Sequence, residues 1–160
     1  MAVVIDASKF YEISNQLMDG SVKYLLGGKA NIHKEPDSIK QIDCSGFVQY
    51  VVYKATNEAI NFQGGSVWQR EKCDKLNLEK IDYSTCNEID GWLRIAFMKK
   101  SKTVKVGHVW LIHNGFTHES YGGHGPGRRF WSTKKLKDNV YACYKLAQLH
   151  SMNIQVMGGY

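Results

Sequence analysis

Cys44 stands in a setting that can make a thiol reactive. It follows Asp43, and the apolar run after Gly46 has spacings of four that predict a buried helix through Ala55. Unpaired N–H groups at a helix N-terminus lower the pKa of a thiol and can stabilise the oxyanion that forms on an attacked carbonyl. With Asp43 as the helix cap, Cys44 is the candidate nucleophile of an acyl transfer. A buried structural cysteine is the alternative interpretation of the same position.

His108 is the candidate base for this thiol. It lies in the apolar stretch 106–112, which is typical of a buried strand, and a buried imidazole needs a hydrogen-bond partner. A histidine satisfied within the core is the other interpretation. His113 lies an odd number of positions away and faces the opposite side of the strand, so the two histidines cannot both serve Cys44.

A third residue that orients the imidazole is expected on the strand after Asn114-Gly115, a strong hairpin turn signal. If this is a two-residue turn, Glu119 falls on the face of His108. If the loop has three residues, the parity changes and His118 falls there instead. Both turns fit the sequence, so Glu119 and His118 both stay candidates. Glu119 is favoured because a carboxylate stabilises imidazolium directly.

The elements that must position these residues fall into two groups. Helical patterns come first, at Asp6 or Ser8 through about Leu26 with Gly27-Gly28 as the end, at 44–55, and as one short helix within 61–78. Residues 29–41 are predicted to form a surface loop. Strand patterns follow at 92–97, 104–113, 116–121 and 140–149. We predict a single α+β domain over residues 1–160, with N-terminal helices packed on a C-terminal antiparallel β-sheet.

Composition limits the classes of partner and the place of action. The 160 residues are 43% hydrophobic and 22% charged, as in globular proteins, and the formal net charge is +6. This charge suits an anionic polymer, but no nucleic-acid recognition motif accompanies it, so no nucleic-acid partner is expected. The start of the chain lacks the features of a signal peptide, and no apolar run is long enough to insert in a membrane. We expect synthesis in the cytoplasm without a leader.

The remaining cysteines have no chemical context of this kind. Cys73, Cys86 and Cys143 stand far apart in sequence, with no C-x-x-C pair and no zinc-finger spacing. We expect reduced, mostly buried thiols.

Three motifs in order resemble the NlpC-type papain-like cysteine peptidases, which are hydrolases of bacterial cell-wall turnover. They are Tyr24-Leu25-Leu26-Gly27-Gly28, then Asp43-Cys44-Ser45-Gly46-Phe47 before a helix, then Gly107-His108-Val109. The resemblance runs from Tyr24 to Trp131, and residues 119–126 resemble a stretch of phage-type members. The chain departs from the family at Ile89-Asp90-Gly91-Trp92, where the family has Pro-Gly-Asp, and its third polar residue follows His108 sooner than usual. Cleft shape and the identity of the third residue therefore stay open.

The resemblance implies a papain-like fold, a Cys-His acyl-enzyme mechanism, and no metal or organic cofactor. It assigns the site residues as follows: Cys44 as nucleophile, His108 as base, His118 or Glu119 as orienting residue, and Tyr24 and Ser45 at the oxyanion and substrate site. It also implies peptidoglycan stem peptides as substrate, cut between D-glutamate and the diamino acid. Action on the cell wall, in the periplasm, requires delivery by phage lysis, a phage tail or a specialised secretion system, and a cognate immunity or inhibitor protein is a further expected partner.

Three other functions fit parts of the sequence. A cysteine-histidine-dependent amidase shares the order of nucleophile and base but cuts another cell-wall amide. A non-catalytic cell-wall-binding module could retain the fold. A metal site could use His108, His113, His118 and His124 together with cysteines, but strand parity scatters the histidine side chains over two faces of a sheet.

Overall fold

The helices of the fold precede most of its strands. The computed structural model describes residues 3–100 and 107–150, with only the backbone of residues 134 and 135. Its α-helices are α1 (Ala7–Leu17), α2 (Cys44–Ala55), α3 (Ser66–Lys75) and the short α4 (Lys134–Lys137), and 3-10 helices lie at Pro36–Ser38 and Tyr83–Asn87. None of the helices in these residues is long and apolar enough to cross a membrane.

Six strands form one sheet in the order β1-β6-β2-β3-β4-β5. They are β1 (Val4–Asp6), β2 (Trp92–Met98), β3 (His108–His113), β4 (Phe116–Tyr121), β5 (Gly125–Gly127) and β6 (Val140–His150). The predicted α+β class is confirmed. The sheet is mixed rather than wholly antiparallel, because β1 pairs with β6 in parallel. A three-residue strand is too short to show a periodic pattern, and β1 escaped prediction for that reason.

The sheet is buried on both faces, so its central strands read as continuous apolar runs. Leu93, Ile95 and Phe97 of β2 pack in the larger core with α1 and α2. Ala96 and Met98 point to a second, smaller core on the other face, together with Trp110, Ile112, Trp131, Leu136, Cys86 and Cys143. The catalytic candidates lie where β3 begins, at the end of the sheet nearest the start of α2.

The first helix is shorter than predicted. It ends at Leu17 instead of continuing to Leu26, because a local turn follows it. In this turn the Asp19 carboxylate accepts hydrogen bonds from the N–H and the hydroxyl of Ser21, and Gly20 adopts a φ of 95°. Leu25 is 46% exposed and takes no part in the apolar stripe of α1. Gly27-Gly28 belongs to a later turn.

The remaining boundaries lie close to the predictions. α2 and the short helix within 61–78 form, and β2, β4 and β6 agree within one residue at each end. The predicted strand at 104–113 is seen from His108 onward, and residues 104–106 lie outside the described residues. β5 was missed because Gly-Pro-Gly has no strand propensity.

Candidate active site

Cys44 is the first residue of α2 and is 6% exposed. Asp43 caps the helix through Oδ1, which accepts from the Gly46 N–H at 2.7 Å. Its Oδ2 accepts from the Gly27 N–H at 3.1 Å and from Lys29 Nζ at 2.5 Å. The Cys44 N–H has no carbonyl to meet within the helix and is free to face a ligand beside the sulfur.

The double glycine brings the 24–28 turn against the start of α2. The Asp43 N–H donates to the Gly28 carbonyl at 2.8 Å. A Cβ at Gly46 would lie 2.8 Å from that same oxygen, so the approach requires glycine there. Gly27 has φ 81°, which closes the turn from Leu25 to Gly28. The turn and the helix start are therefore one rigid unit.

His108, the first residue of β3, joins Cys44 to Glu119. Its imidazole lies within hydrogen-bonding reach of the Cys44 side chain. Its Nε2 lies 2.7 Å from Glu119 Oε1, which leaves Nδ1 to face the sulfur. Glu119 is fully buried. The structure thus brings together the three residue types of a nucleophile, a base and an orienting group.

The charges of this array reinforce one another. Burial lowers the pKa of His108, but the hydrogen bonds and charges of Cys44 and Glu119 outweigh it and raise that pKa to about 9. Burial raises the pKa of Glu119, whereas His108 and Arg129 lower it more strongly, to about 2. At neutral pH the imidazole is protonated and the carboxylate ionised.

Arg129 is a second partner of Glu119 and contacts both of its carboxylate oxygens. Its Nε donates to Oε2 at 3.0 Å and its Nη2 to Oε1 at 2.5 Å, while its guanidinium lies 4.0 Å from the centre of the Tyr121 ring. The Thr117 hydroxyl also donates to Oε2 and accepts from the Arg129 N–H. The sequence did not identify Arg129 as a partner of Glu119, because no periodic pattern links position 129 to position 119.

The hairpin has the two-residue turn. His113 pairs with Phe116 and Leu111 with His118, and Asn114 and Gly115 have φ values of 51° and 82°, as in a type I′ turn. Glu119 therefore shares a face with His108.

The three-residue loop does not form, and His118 is not part of the array. The His118 side chain points to α1, where Nδ1 lies 2.8 Å from Ser14 Oγ. Burial, with the charges of Arg128 and His113, lowers its pKa to about 3. His118 is a neutral core histidine.

Tyr24 and Ser45 occupy different positions relative to the sulfur. Burial and the charges of Cys44 and Asp43 raise the pKa of Tyr24 to about 12, so its hydroxyl stays protonated at neutral pH. The Ser45 hydroxyl donates to Asp43 Oδ1 at 3.2 Å and is buried within the cap. Gln69 of α3, which the sequence did not indicate, donates from Nε2 to the Ser45 carbonyl at 2.8 Å.

The other histidines have separate partners. The His113 Nδ1 is hydrogen-bonded to the Tyr11 hydroxyl, and His124 stacks on Tyr121 at 4.6 Å between ring centres. Within residues 3–100 and 107–150, no group of three or more histidine, cysteine, aspartate or glutamate side chains is placed to hold a metal ion.

Two solved structures share the fold. One is an NLP/P60 family protein from Staphylococcus aureus described as similar to lipoprotein, with a TM-score of 0.58 and 17% identity over 93% of this chain. The other is an NlpC/P60 family protein from Bacillus cereus, with a TM-score of 0.60 and 17% identity over 87% of this chain. The chain spans 44% and 39% of their lengths. No protein-family model and no curated protein matches the sequence. The chain therefore has an NlpC/P60-type, papain-like fold, as the motifs indicated.

Proposed function

We propose that this chain is a cysteine hydrolase that cuts an amide bond in the stem peptide of peptidoglycan, between D-glutamate and the diamino acid. The observation that carries the proposal is the continuous array from Cys44 at a helix N-terminus through His108 to the buried Glu119. The NlpC/P60-type fold supports the choice of a cell-wall peptide as substrate. The bond itself rests on the sequence resemblance.

The reaction begins with Cys44 and His108 as an ion pair. The thiolate attacks the amide carbonyl, forming a C–S bond and placing the negative charge on the carbonyl oxygen. His108 gives its proton to the leaving nitrogen as the C–N bond breaks, which leaves a thioester. The neutral imidazole then takes a proton from water, and the hydroxide attacks the thioester and releases the acid and the thiolate.

The oxyanion is held by groups beside the sulfur. The Cys44 N–H at the start of α2 is one donor, and the Tyr24 hydroxyl is the second. Because the pKa of Tyr24 is raised to about 12, this hydroxyl keeps its proton at neutral pH and can donate. Ser45 contributes indirectly, since its hydroxyl bonds to the Asp43 cap.

The test is digestion of purified peptidoglycan, with mass analysis of the released fragments. The parent protein is expected to open the stem peptide, and Cys44→Ala and a thiol alkylator are each expected to abolish the cleavage. Cys73→Ala is the matched control, because Cys73 is buried in α3 and remote from His108. Fragments cut at the sugar or at a cross-bridge would show that the protein is an amidase of another wall bond and not a stem-peptide peptidase.

Loss of cleavage alone does not separate an enzyme from a wall-binding module, so binding is measured as well. Cys44→Ala is expected to sediment with peptidoglycan as the parent does. If the parent binds the wall without releasing fragments, or if Cys44→Ala digests as fast as the parent, the proposal of a cysteine hydrolase is refuted.

A further inference from the structure

Two thiols outside the array face each other in the smaller core. Cys86 Sγ lies 3.5 Å from Cys143 Sγ, and both residues are almost fully buried. Cys86 belongs to the Tyr83–Asn87 3-10 helix and Cys143 to the middle of β6. In sequence they are 57 positions apart, so only the fold brings them together.

The backbone fixes this proximity. The segment before the 3-10 helix runs antiparallel to β6, with the Ile81 N–H donating to the Cys143 carbonyl at 2.9 Å and the Lys145 N–H donating to the Glu79 carbonyl at 2.9 Å. Lys80 and Tyr144 form the bridge between these two bonds. The hydrogen bonds hold the two thiols near each other in the native state, and a contact at 3.5 Å needs only a small approach of the sulfurs to reach bonding distance.

A cation next to the thiols favours the thiolate that disulfide exchange requires. The buried guanidinium of Arg94 on β2 acts electrostatically on both cysteines. Burial raises the pKa of both thiols, and the charge of Arg94 lowers it.

We propose that Cys86 and Cys143 are a disulfide-forming pair that closes when the protein enters an oxidising compartment. The oxidant is a low-molecular-weight disulfide such as oxidised glutathione. Both sulfurs are buried, so the exchange takes place when a local opening exposes the pair. The thiolate of one cysteine attacks the oxidant and forms a mixed disulfide, releasing one glutathione thiolate. The other cysteine then loses its proton, attacks the sulfur of the first and releases the second glutathione. Two protein thiols are oxidised and one glutathione disulfide is reduced to two thiols.

The crosslink ties the 3-10 helix to β6 behind the proposed catalytic histidine. Cys86 and Cys143 share the smaller core with Trp110, which stacks on His108 at 5.4 Å between ring centres. The disulfide closes a loop that includes β2, β3 and β4 and so restricts the unfolded chain. The reduced protein is the more easily unfolded form and the oxidised one is stabilised where it acts. The pairing does not depend on the hydrolase activity.

The test uses the Cys44→Ala variant of the 160-residue chain, so that the proposed nucleophile does not consume the oxidant. The folded protein is equilibrated with graded ratios of reduced and oxidised glutathione, acid-quenched, unfolded and alkylated, and its peptides are mapped by mass. Cys86 and Cys143 are expected to escape alkylation together in one cross-linked peptide pair, while Cys73 stays fully alkylated. Native conditions should favour the disulfide by about thirtyfold or more over the same chain in urea.

A thermal melt provides the second measurement. Oxidation is expected to raise the Tm of Cys44→Ala and of Cys44→Ala/Cys73→Ala, and to leave Cys44→Ala/Cys143→Ala unchanged. Full alkylation of both cysteines at every ratio that keeps the protein folded would overturn the proposal. So would a crosslink to Cys73, or equal oxidation in urea and in native buffer. The peptide map decides the matter even if a cysteine variant fails to fold.

Discussion

Replacing Glu119 by glutamine tests how the buried carboxylate controls His108. Glutamine keeps the shape and one acceptor for His108 Nε2 but removes the negative charge that lies 2.7 Å away. An opposite charge at such a distance shifts a pKa by about 1–3 units, or about 1.4–4 kcal/mol of imidazolium stabilisation. We expect Glu119→Gln to lower kcat/KM by about ten- to a thousandfold, because less of the Cys44–His108 ion pair is formed.

The pH profile gives the sign of the effect. The ion pair needs protonated His108, whose pKa is about 9, so activity of the parent is expected to fall as the pH rises through 9. Without the Glu119 charge the pKa of His108 decreases, and this alkaline limb moves to lower pH. The rate at which iodoacetamide alkylates Cys44, measured against pH, reports the same shift without any substrate.

The control is Glu79→Gln, whose carboxylate is 66% exposed and pairs at 3.4 Å with Lys145. It is expected to leave both the turnover and the alkylation profile unchanged. If Glu119→Gln alkylates at Cys44 with the rate and pH dependence of the parent, the carboxylate does not set the charge of His108. The orienting role given to Glu119 is then wrong, whatever the activity on peptidoglycan.

Four further substitutions test the surroundings of the array. Arg129→Gln removes a charge that lowers the pKa of Glu119, so the acid limb of the pH–rate profile should move to higher pH and activity should fall by about tenfold. If the limb does not shift, the Arg129–Glu119 ion pair has only a structural role. Tyr24→Phe should lower kcat by about ten- to a hundredfold with an unchanged circular dichroism spectrum, and an unchanged kcat would remove the hydroxyl from the oxyanion site. His118 has a pKa of about 3 in the folded protein, against 6.5 for an ordinary histidine, so its contribution to stability is present above pH 6.5 and is lost as the pH falls toward 3. The unfolding free energy of the parent should therefore fall by up to about 1.4 kcal/mol per pH unit in this range. Urea unfolding of His118→Asn should show no such pH dependence, and an identical dependence in the variant would assign it to other groups. Gly46→Ala places a Cβ 2.8 Å from the Gly28 carbonyl oxygen and should cost about 1–3 kcal/mol of unfolding free energy. Gly122→Ala, with no atom within 4 Å of the added Cβ, is the control. Equal Tm values for the two variants would show that the turn is not rigid.

Local patterns predicted the parts of the site that depend on one element or one turn. The apolar spacing after Asp43 placed Cys44 at the start of α2, and the continuous apolar stretch that contains His108 predicted a buried strand. The Asn114-Gly115 signal predicted the hairpin, but the sequence could not choose between loops of two and three residues. Only the observed register assigned Glu119, since one residue of slip reverses every face.

The features that were missed depend on contacts distant in sequence. Arg129 lies on the irregular chain after β5, and no periodicity links it to Glu119. Cys86 and Cys143 were predicted as separate buried thiols because their proximity follows from the pairing of β6 with residues 79–81. The end of α1 was misplaced because a local Asp19 turn interrupts a sequence that still carries apolar residues up to Leu26.

The choice of a carboxylate as third residue accounts for the presence of Arg129. In the proposed mechanism the groups alternate in charge from the Cys44 thiolate through imidazolium and carboxylate to guanidinium, so that these four groups together carry no net charge. A buried Glu119 with only His108 as partner would lose its counter-charge each time the imidazole gives its proton to the leaving amine, and an uncompensated buried charge costs several kcal/mol. Arg129 keeps Glu119 paired during that step through two N–H bonds, and Tyr121 covers the guanidinium. The carboxylate can therefore stay ionised throughout the cycle, which allows it to hold His108 in one orientation in both of its protonation states.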